Sequence, residues 1–434
     1  MTRLQAAMAA VRPIQVLARP VEVTQRPSNL AVPTLGDNAV IFPKPLGYGV
    51  RPNPVTLAEA TQVWGLRREL WSKFAGGFAG TTESNGSWWQ PVSMLRRFET
   101  TVSGGPCVFH FDFDGAAFEV LFAGNAVSAV LIADGQYATP QYIRNELKAG
   151  VQGPALDNYD TYVRFDFGSA APRKLSLYAF STLGPSAFAI GANDSIRAWD
   201  RSNEPTMIVQ ADSYGAAYSP SWAFSGIFYE TAVRMGITNV DVDAVGGTSF
   251  APNDVQTRPG DSFTGRLAAL SRHPCDLFLT CGGINDNNWL ALPPYASGAA
   301  ARVGFDSTVQ RYYRELRAAL PNAVLAAVGP WQPNPNFYPQ SARDKADTIR
   351  AALQAVAGPW VFMDNLSGGW RASSGASGPA TGPWQTGTGN EANPRGDGNA
   401  DLYLSSDGTH PSRAGCRYLG EQIAANLRAA LATM

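Results

Sequence analysis

The strongest constraint in this 434-residue sequence is a change of pattern near residue 205. From there on, short apolar runs alternate with longer segments of helical periodicity. The apolar runs are Thr206–Gln210, Val240–Val245, Asp276–Thr280 and Ala323–Val328, and the helical segments are Ser219–Arg234, Thr308–Leu320 and Ser412–Leu431. This alternation predicts an α/β fold with a parallel sheet between layers of helices, in which ligands bind at the carboxyl ends of the strands.

The part of the chain before residue 205 has a different pattern. Between about 95 and 195, short β-type runs alternate with turn residues, which predicts an antiparallel β-sandwich. These runs are Cys107–Asp114, Ala117–Leu121, Val127–Ile132, Thr161–Phe167 and Lys174–Phe180. Residues 1–60 are rich in Pro and Val without a sustained period, so we expect an extended arm that wraps its own domain or a neighbouring subunit of a homo-oligomer. The predicted organisation is an arm over 1–60, a β-sandwich over 61–200 and an α/β domain over 201–434.

Charge and hydropathy exclude several classes of partner. The formal net charge is −1, from 34 basic and 35 acidic side chains, and it offers no field for holding nucleic acid. No apolar run is long enough for a spanning helix, so we expect a soluble protein without a membrane partner. Residues 1–11 make a poor signal peptide, and the sequence assigns no compartment.

The sequence indicates neither a metal site nor a cofactor. The four cysteines stand in no metal-binding spacing, and we interpret them as buried apolar residues, with Cys275 and Cys281 as the alternative disulfide pair. Asp397, Asn399 and Asp401 resemble the beginning of a calcium loop, but the turn glycine and the distal Glu that such a loop needs do not follow.

Two segments carry residues suited to nucleophilic catalysis. Met207–Gly215 is an apolar strand that runs into a turn of small residues holding Ser213, which exposes a hydroxyl beside free backbone N–H groups. In the second segment, Asp407 and His410 lie three residues apart on one turn, so the carboxylate can orient the imidazole directly. His110 and His273 lie in contexts that favour structural roles, which leaves His410 as the candidate base.

Two further strands end in glycines. After Val240–Val245 come Gly246 and Gly247, whose N–H groups could bind a developing oxyanion. After the strand that ends at Thr280, a Gly-rich turn leads to Asn285, whose side-chain amide could donate to the same oxyanion.

These four segments, in this order, resemble the signature blocks of the SGNH hydrolase superfamily, also called GDSL-type lipases and esterases. The matching residues are Asp212 and Ser213, Gly247, Gly283 with Asn285 and Asp286, and Asp407 with His410 and Pro411. The resemblance covers roughly residues 205–434 and implies a three-layer α/β/α domain. One residue departs from the family pattern, because Ala211 stands where the family usually has glycine.

The resemblance implies a set of roles for these residues. Ser213 is the implied nucleophile of a Ser-His-Asp triad with His410 and Asp407, and the implied oxyanion donors are the backbone of Ser213 and Gly247 and the side chain of Asn285. Whether Gly246 or Gly247 donates stays open. We also predict substrate contacts for a set of residues near these segments: Asp212, Tyr214, Gly246, Asp286, Trp289, Trp370 and Trp384.

A β-rich unit ahead of the catalytic unit is similar in layout to two-domain carbohydrate esterases of this superfamily, whose N-terminal part is a jelly roll. We therefore expect hydrolysis of a short acyl ester, in particular an O-acetyl group on a carbohydrate. The long segment 365–406, rich in Gly, Ser and Asn, is interpreted as a functional loop beside the histidine. Two alternatives remain: a lipase or thioesterase for longer acyl chains, and a phage tail or particle component that binds or deacetylates surface polysaccharide.

Overall fold

The computed structural model describes most of the carboxyl-terminal half of the chain and parts of the amino-terminal half. The described residues are 3–10, 15–27, 39–41, 79–84, 88–93, 107–122, 128–139, 143–144, 161–179, 185–191, 194–198, 203–215, 226–237, 239–250, 262–267, 275–286, 299–331, 340–366, 370–371, 379–380 and 384–434.

The strands before residue 205 are antiparallel. They are β1 (Glu22–Pro27), β2 (Ala39–Ile41), β3 (Ala79–Ser84), β4 (Trp88–Ser93), β5 (Cys107–Phe122), β6 (Ser128–Ala133), β7 (Gln136–Tyr137), β8 (Ile143–Arg144), β9 (Thr161–Ala179), β10 (Pro185–Ile190) and β11 (Ser195–Ala198). Nine of them form one sheet whose central path runs β2-β10-β5-β9-β6-β7, and β3 pairs with β4 separately. Strands β5 and β9 form the longest pairing in this sheet. Phe118 of β5 stacks on Phe165 of β9, with 4.8 Å between the ring centroids. This sheet is observed directly, whereas the jelly-roll arrangement and the boundaries at residues 60 and 200 stay predictions.

Two long strands in this sheet differ from the sequence prediction, which divided each into two. Between β5 and β9 the pairing passes from Gly115 opposite Ala171 to Ala117 opposite Asp166, so extra residues of β9 are taken up in a bulge. Gly168 lies inside the bulge with a φ of 75°. A bulge with a glycine in the left-handed region bends a strand without ending it, which is why turn-type residues occur inside these strands.

A parallel sheet occupies the second half of the chain. Its strands are β12 (Thr206–Ala211), β13 (Asn239–Ala244), β14 (Leu277–Cys281), β15 (Val324–Val328) and β16 (Trp360–Met363), in the order β13-β12-β14-β15-β16. Two short strands, β17 (Trp370–Arg371) and β18 (Pro379–Ala380), pair with each other outside it. Strands β12 and β14 are buried along their whole length, as expected for strands covered on both faces.

The helices cover both faces of the parallel sheet. They are α1 (Arg3–Ala10), α2 (Gly226–Met235), α3 (Phe263–Arg266), α4 (Ala299–Ala319), α5 (Gln340–Gln354), α6 (Ala400–Tyr403) and α7 (Arg413–Leu431). Met207 and Val209 of β12 pack in the cluster that contains α2 and α7, whereas Ile208 packs with α4 and α5. This alternation of side chains confirms the predicted three-layer α/β/α arrangement. None of the helices in the described ranges has both the length and the apolar character needed to cross a membrane.

The amino-terminal segment corrects part of the predicted arm. Residues 3–10 are helical rather than extended, and Leu4 is buried in the same cluster as β12. The Arg3 guanidinium donates to both carboxylate oxygens of Asp276 at 3.2 Å. Alanine has a high helix propensity, and a helix over this Ala-rich run buries Leu4 against the parallel sheet. These two effects explain why the segment is helical rather than extended.

The antiparallel sheet contacts the outer helices of the parallel sheet. The Tyr137 hydroxyl donates to Glu230 of α2, and the Arg417 guanidinium of α7 lies 4.5 Å from the centroid of the Tyr137 ring. Tyr178 meets Tyr229 edge to face at 5.5 Å between centroids. These contacts attach the antiparallel sheet to α2 and α7 through aromatic and charged side chains, most of which are buried.

Candidate active site

The predicted segments meet at the carboxyl edge of the parallel sheet. Ser213 follows β12, Gly247 follows β13 and Asn285 follows β14. The connection after β12 runs to β13 on one side, and the connection after β14 runs to β15 on the other, so the strand order reverses between β12 and β14. Such a switch point creates a crevice outside the strand ends, where open α/β sheets bind their ligands.

The serine turn is fixed by its own backbone and by Asp212. Gly215 N–H donates to the Asp212 carbonyl at 3.1 Å, and Tyr214 N–H donates to Asp212 Oδ1 at 3.0 Å. Asp212 N–H in turn reaches the Cys281 carbonyl of β14 at 3.4 Å. The turn therefore holds Ser213, which is partly exposed, above the end of the sheet.

The histidine turn is organised around the carboxylate of Asp407. Its Oδ1 accepts hydrogen bonds from the Ser405 hydroxyl and Thr409 N–H at 2.8 Å and from His410 N–H at 2.9 Å. Its Oδ2 lies 2.7 Å from His410 Nδ1. Burial alone would raise the pKa of Asp407, but these hydrogen bonds outweigh it and leave the pKa below its usual value. The carboxylate is therefore ionised at neutral pH and fixes the imidazole in one orientation.

The serine and histidine turns meet through one short contact. His410 Nε2 lies 2.9 Å from Ser213 Oγ, although the two residues are 197 positions apart. The Tyr214 hydroxyl donates to the Thr409 carbonyl at 2.5 Å, which ties the two turns together a second time. Ser213, His410 and Asp407 thus form a continuous hydrogen-bonded chain.

The glycine turn after β13 approaches the segment after β14. Thr248 N–H donates to the Val245 carbonyl at 3.3 Å, and Gly247 has a φ of 74°, the geometry of a turn that needs glycine in its third position. Asn285 Nδ2 donates to the Thr248 carbonyl at 3.0 Å. An amide nitrogen carries two hydrogens, so this contact leaves Asn285 a second N–H for a ligand.

The structure corrects four of the predicted substrate contacts. Asp212, Tyr214 and Trp384 are 0% exposed and Asp286 is 3% exposed, so none of these side chains presents a surface to a ligand. Asp286 instead accepts Phe250 N–H at 3.1 Å. Sequence patterns place these residues near the serine, but only packing decides that they face inwards.

The other predicted contacts have different positions. Gly246 is partly exposed on the turn after β13. Trp289 and the side chain of Trp370 lie outside the described residues, as does His273. His110 is buried, with its Nδ1 2.7 Å from the Ser176 hydroxyl, inside the antiparallel sheet.

An aromatic stack fills the space behind the histidine. The Tyr214 ring lies 5.3 Å from the His410 ring and stacks on Trp331, which meets Trp384 at 5.8 Å between centroids. Trp331 was not among the predicted site residues. Its only sequence signal is its position directly after Val328-Gly329-Pro330, at the end of β15.

Asp212 is an unusual carboxyl group at the base of this site. Burial raises its pKa to about 7, against the opposing hydrogen bond from Tyr214 N–H. Its Oδ2 has no hydrogen-bond partner within the described ranges. This carboxyl therefore changes charge near neutral pH while it holds the serine turn.

The loop before the histidine is held by its own acidic and amide side chains. Asp397 accepts the N–H and the hydroxyl of Thr388 at 2.9 and 2.7 Å, and Asp401 accepts Arg395 N–H at 2.9 Å. Asn399 Oδ1 accepts Thr386 N–H at 2.6 Å. The residues that resembled a calcium loop thus bind backbone and hydroxyl groups of their own loop.

The three cysteines whose side chains the structure describes are not cross-linked. Cys275, Cys281 and Cys416 are free thiols, and Cys281 Sγ accepts a hydrogen bond from Trp331 Nε1 at 2.7 Å. Cys275 and Cys281 therefore do not form the alternative disulfide in this structure.

Comparison with known proteins assigns the second half of the chain to a family. The model of the GDSL-like lipase/acylhydrolase family matches residues 212–418, which include Ser213, Gly247, Asn285, Asp407 and His410. No curated protein sequence matches the chain.

Solved structures of similar shape are known at low sequence identity. The salicylyl-acyltransferase SsfX3 from a tetracycline biosynthetic pathway has a TM-score of 0.51 at 12% identity, over 83% of this chain and 96% of that one, which supports the fold alone. A family two carbohydrate esterase from Clostridium thermocellum in complex with cellohexaose has a TM-score of 0.49 at 14% identity, over 83% and 99% of the two chains. One from Cellvibrio japonicus has a TM-score of 0.48 at 12% identity, over 82% and 95%. The chain therefore carries, over residues 212–418, a GDSL-like lipase/acylhydrolase domain.

Proposed function

We propose that the protein is a serine esterase in which Ser213 is the nucleophile, His410 the general base and Asp407 the residue that orients the base. The observation that carries this proposal is the hydrogen-bonded chain from Ser213 Oγ to His410 Nε2 at 2.9 Å and from His410 Nδ1 to Asp407 Oδ2 at 2.7 Å. A nucleophilic serine, a histidine base and an orienting carboxylate that are hydrogen-bonded in this order form the triad of a serine hydrolase. Such triads occur on unrelated folds.

The reaction proceeds through an acyl-enzyme. As Ser213 Oγ attacks the ester carbonyl, His410 Nε2 takes its proton, and the tetrahedral intermediate collapses when the imidazolium returns that proton to the leaving alcohol. A water molecule, deprotonated by His410, then attacks the acyl group and regenerates Ser213. Asp407 stays ionised throughout, because its hydrogen bonds hold its pKa low.

The oxyanion is stabilised by donors from three strand ends. We assign the backbone N–H of Ser213, the backbone N–H of Gly247 and the second amide N–H of Asn285 to this role. The support is their common edge of the sheet and the contact between Asn285 and Thr248, which holds the amide beside the glycine turn. Removal of one such donor typically costs about 10² to 10³ in kcat.

The packing around the histidine favours a short acyl group. Tyr214, Trp331 and Trp384 are fully buried and occupy the space next to His410, where a long acyl chain would otherwise need an apolar channel. The nearby loop exposes residues 391–397 to solvent, and these include the polar side chains of Glu391, Asn393, Arg395 and Asp397. We infer that the substrate is a short ester of a hydrated alcohol, in particular an O-acetyl carbohydrate.

The test is acetate release from a panel of acetylated polysaccharides, run beside p-nitrophenyl esters of increasing chain length. Wild type should release acetate and prefer the short esters, and Ser213→Ala should lose the activity. Ser341→Ala, at an exposed position in the first turn of α5, is the matched control and should retain it.

Each alternative has its own signature in the same experiments. A preference for long-chain esters would replace the carbohydrate esterase by a lipase or thioesterase. An absence of turnover on every ester, or equal activity of wild type and Ser213→Ala, would overturn the proposal. In that case, a stable oligomer in a size measurement, or incorporation of the protein into a virion, would favour the alternative of a phage tail or particle component.

A further inference from the structure

A buried arginine lies beneath the proposed oxyanion site. Arg266 is 5% exposed and is the last residue of α3, a short helix whose first turn is capped by the Ser262 hydroxyl at 3.1 Å from Gly265 N–H. Phe263 N–H donates to the Ser249 carbonyl at 3.0 Å, which fixes this helix to the segment after the glycine turn. No sequence motif indicates Arg266, and the mechanism above does not use it.

The guanidinium divides its contacts between a counter-ion and two loops. Its Nη1 lies 3.0 Å from the Asp243 carboxylate and donates to the Asp243 carbonyl at 2.8 Å. Its Nη2 donates to the Ala211 carbonyl and to the Thr248 hydroxyl, both at 3.3 Å. Nη1 thus pairs with Asp243, and Nη2 links the end of β12 to the turn after β13.

These two acceptors adjoin the proposed oxyanion donors. Ala211 lies two residues before Ser213, and Thr248 directly follows Gly247. The Ala211 carbonyl also accepts a hydrogen bond from Val245 N–H at 3.1 Å, and this contact joins the end of β12 to the glycine turn. Thr248 is held from the other side by Asn285, at 3.0 Å from its carbonyl.

We propose that Arg266 is a positioning residue that sets the spacing between the N–H groups of Ser213 and Gly247. The inference rests on the proposed function, because those N–H groups are its oxyanion donors. Only a planar guanidinium can bind Asp243 through one nitrogen and two separate loops through the other, and a lysine ammonium offers no such fork. A buried ion pair is weak evidence for a stabilising role, and the additional contacts of this one with two loops fit a geometric role.

The experiment compares Arg266→Lys with a matched arginine elsewhere. Arg317 donates to the Ala323 carbonyl at 2.7 Å and the Pro359 carbonyl at 2.9 Å, at the amino ends of β15 and β16, the opposite edge of the sheet from the site. Arg317→Lys therefore loses a comparable set of carbonyl contacts without touching the serine turn.

We expect Arg266→Lys to lower kcat on a short p-nitrophenyl ester by about 10- to 100-fold with KM nearly unchanged, since a displaced oxyanion donor acts in the transition state. Affinity for n-propylboronic acid, whose tetrahedral serine adduct places an oxygen at the oxyanion site, should fall by a similar factor. Arg317→Lys should lower the unfolding temperature and leave both quantities at the wild-type value. Unchanged kcat and boronate affinity in folded Arg266→Lys would overturn the inference.

A second variant keeps the test decisive if Arg266→Lys does not fold. Thr248→Val keeps the side-chain shape and removes the hydroxyl, which accepts from Arg266 at 3.3 Å and donates to the Val245 carbonyl at 2.7 Å. We expect kcat to fall by at least about 5-fold, the equivalent of one hydrogen bond. Unchanged kcat in that variant would refute the positioning role. Failure of the proposed function itself is distinguishable, because wild type would then turn over no ester or Ser213→Ala would be as active as wild type.

Discussion

Gly215 compensates for the one departure from the family pattern, the alanine at position 211. A Cβ atom at Gly215 would lie 2.7 Å from the Ala211 Cβ, 2.8 Å from the Ala244 Cβ and 2.9 Å from the Phe228 ring. Two of these neighbours are methyl carbons fixed to strands β12 and β13, so they cannot swing away. The methyl of Ala211 therefore occupies space that exists only because residue 215 has no side chain.

Gly215→Ala should destabilise the protein and slow the reaction. Overpacking costs about 1 to 3 kcal/mol, and rigid neighbours put this site in the upper part of that range. The lower entropy of the unfolded chain offsets about 0.5 kcal/mol, since Gly215 has no positive φ. The net loss of about 2 kcal/mol corresponds to a decrease in Tm of about 4 to 8 °C.

The same clash should move the catalytic serine. Relief of the contact with Ala211 requires a displacement of several tenths of an ångström, and the Ser213 Oγ to His410 Nε2 distance of 2.9 Å has little tolerance for it. Displacements of about 1 Å cost about 10² in rate, so kcat should fall about 10- to 100-fold.

A double-mutant cycle with Ala211→Gly supplies the control. Removal of the Ala211 methyl relieves one of the three contacts, so the double variant should recover part of the stability and kcat, with a coupling free energy of about 1 kcal/mol. The assays are thermal unfolding and kcat on a short ester. A Gly215→Ala variant with wild-type stability and activity, or a coupling of zero, would refute the reasoning.

Three further variants test the turns around Ser213. Asp407→Asn should lower kcat by about 10⁴-fold with little change in KM, because a carboxamide that faces Nδ1 forces the wrong tautomer of His410. A loss of less than about 10-fold in kcat would contradict this prediction. Tyr214→Phe, which removes the donor to the Thr409 carbonyl, should cost about 1 kcal/mol of unfolding free energy and lower kcat, and no change in either would contradict it. Asp212 has a folded pKa of about 7, above its unfolded value of about 3.9, so the folded state binds the extra proton between these values. Its contribution therefore makes wild type lose stability as pH rises from about 4 to about 7. Asp212→Asn should lack this loss in denaturant unfolding at pH 5 and pH 8, and parallel pH profiles of the two proteins would contradict it.

Features that depend on neighbouring residues could be predicted from the amino-acid sequence. Apolar runs that alternate with helical segments gave the parallel α/β/α domain, which the structure and the family match confirm. The contact between Asp407 and His410 spans three residues, so the turn sequence alone could indicate it. The catalytic roles of these residues remain a proposal, supported by the distances in the site.

Tertiary structure alone decided which side chains face the crevice and which hold it from behind. Asp212, Tyr214 and Trp384 looked like ligand contacts and are buried, because the face that a residue presents depends on the layer packed against it. Arg266 joins Asp243, Ala211 and Thr248 across separations that no local pattern encodes. Strand order and register bring those residues together, and these arise from packing of the whole domain rather than from any segment of the chain.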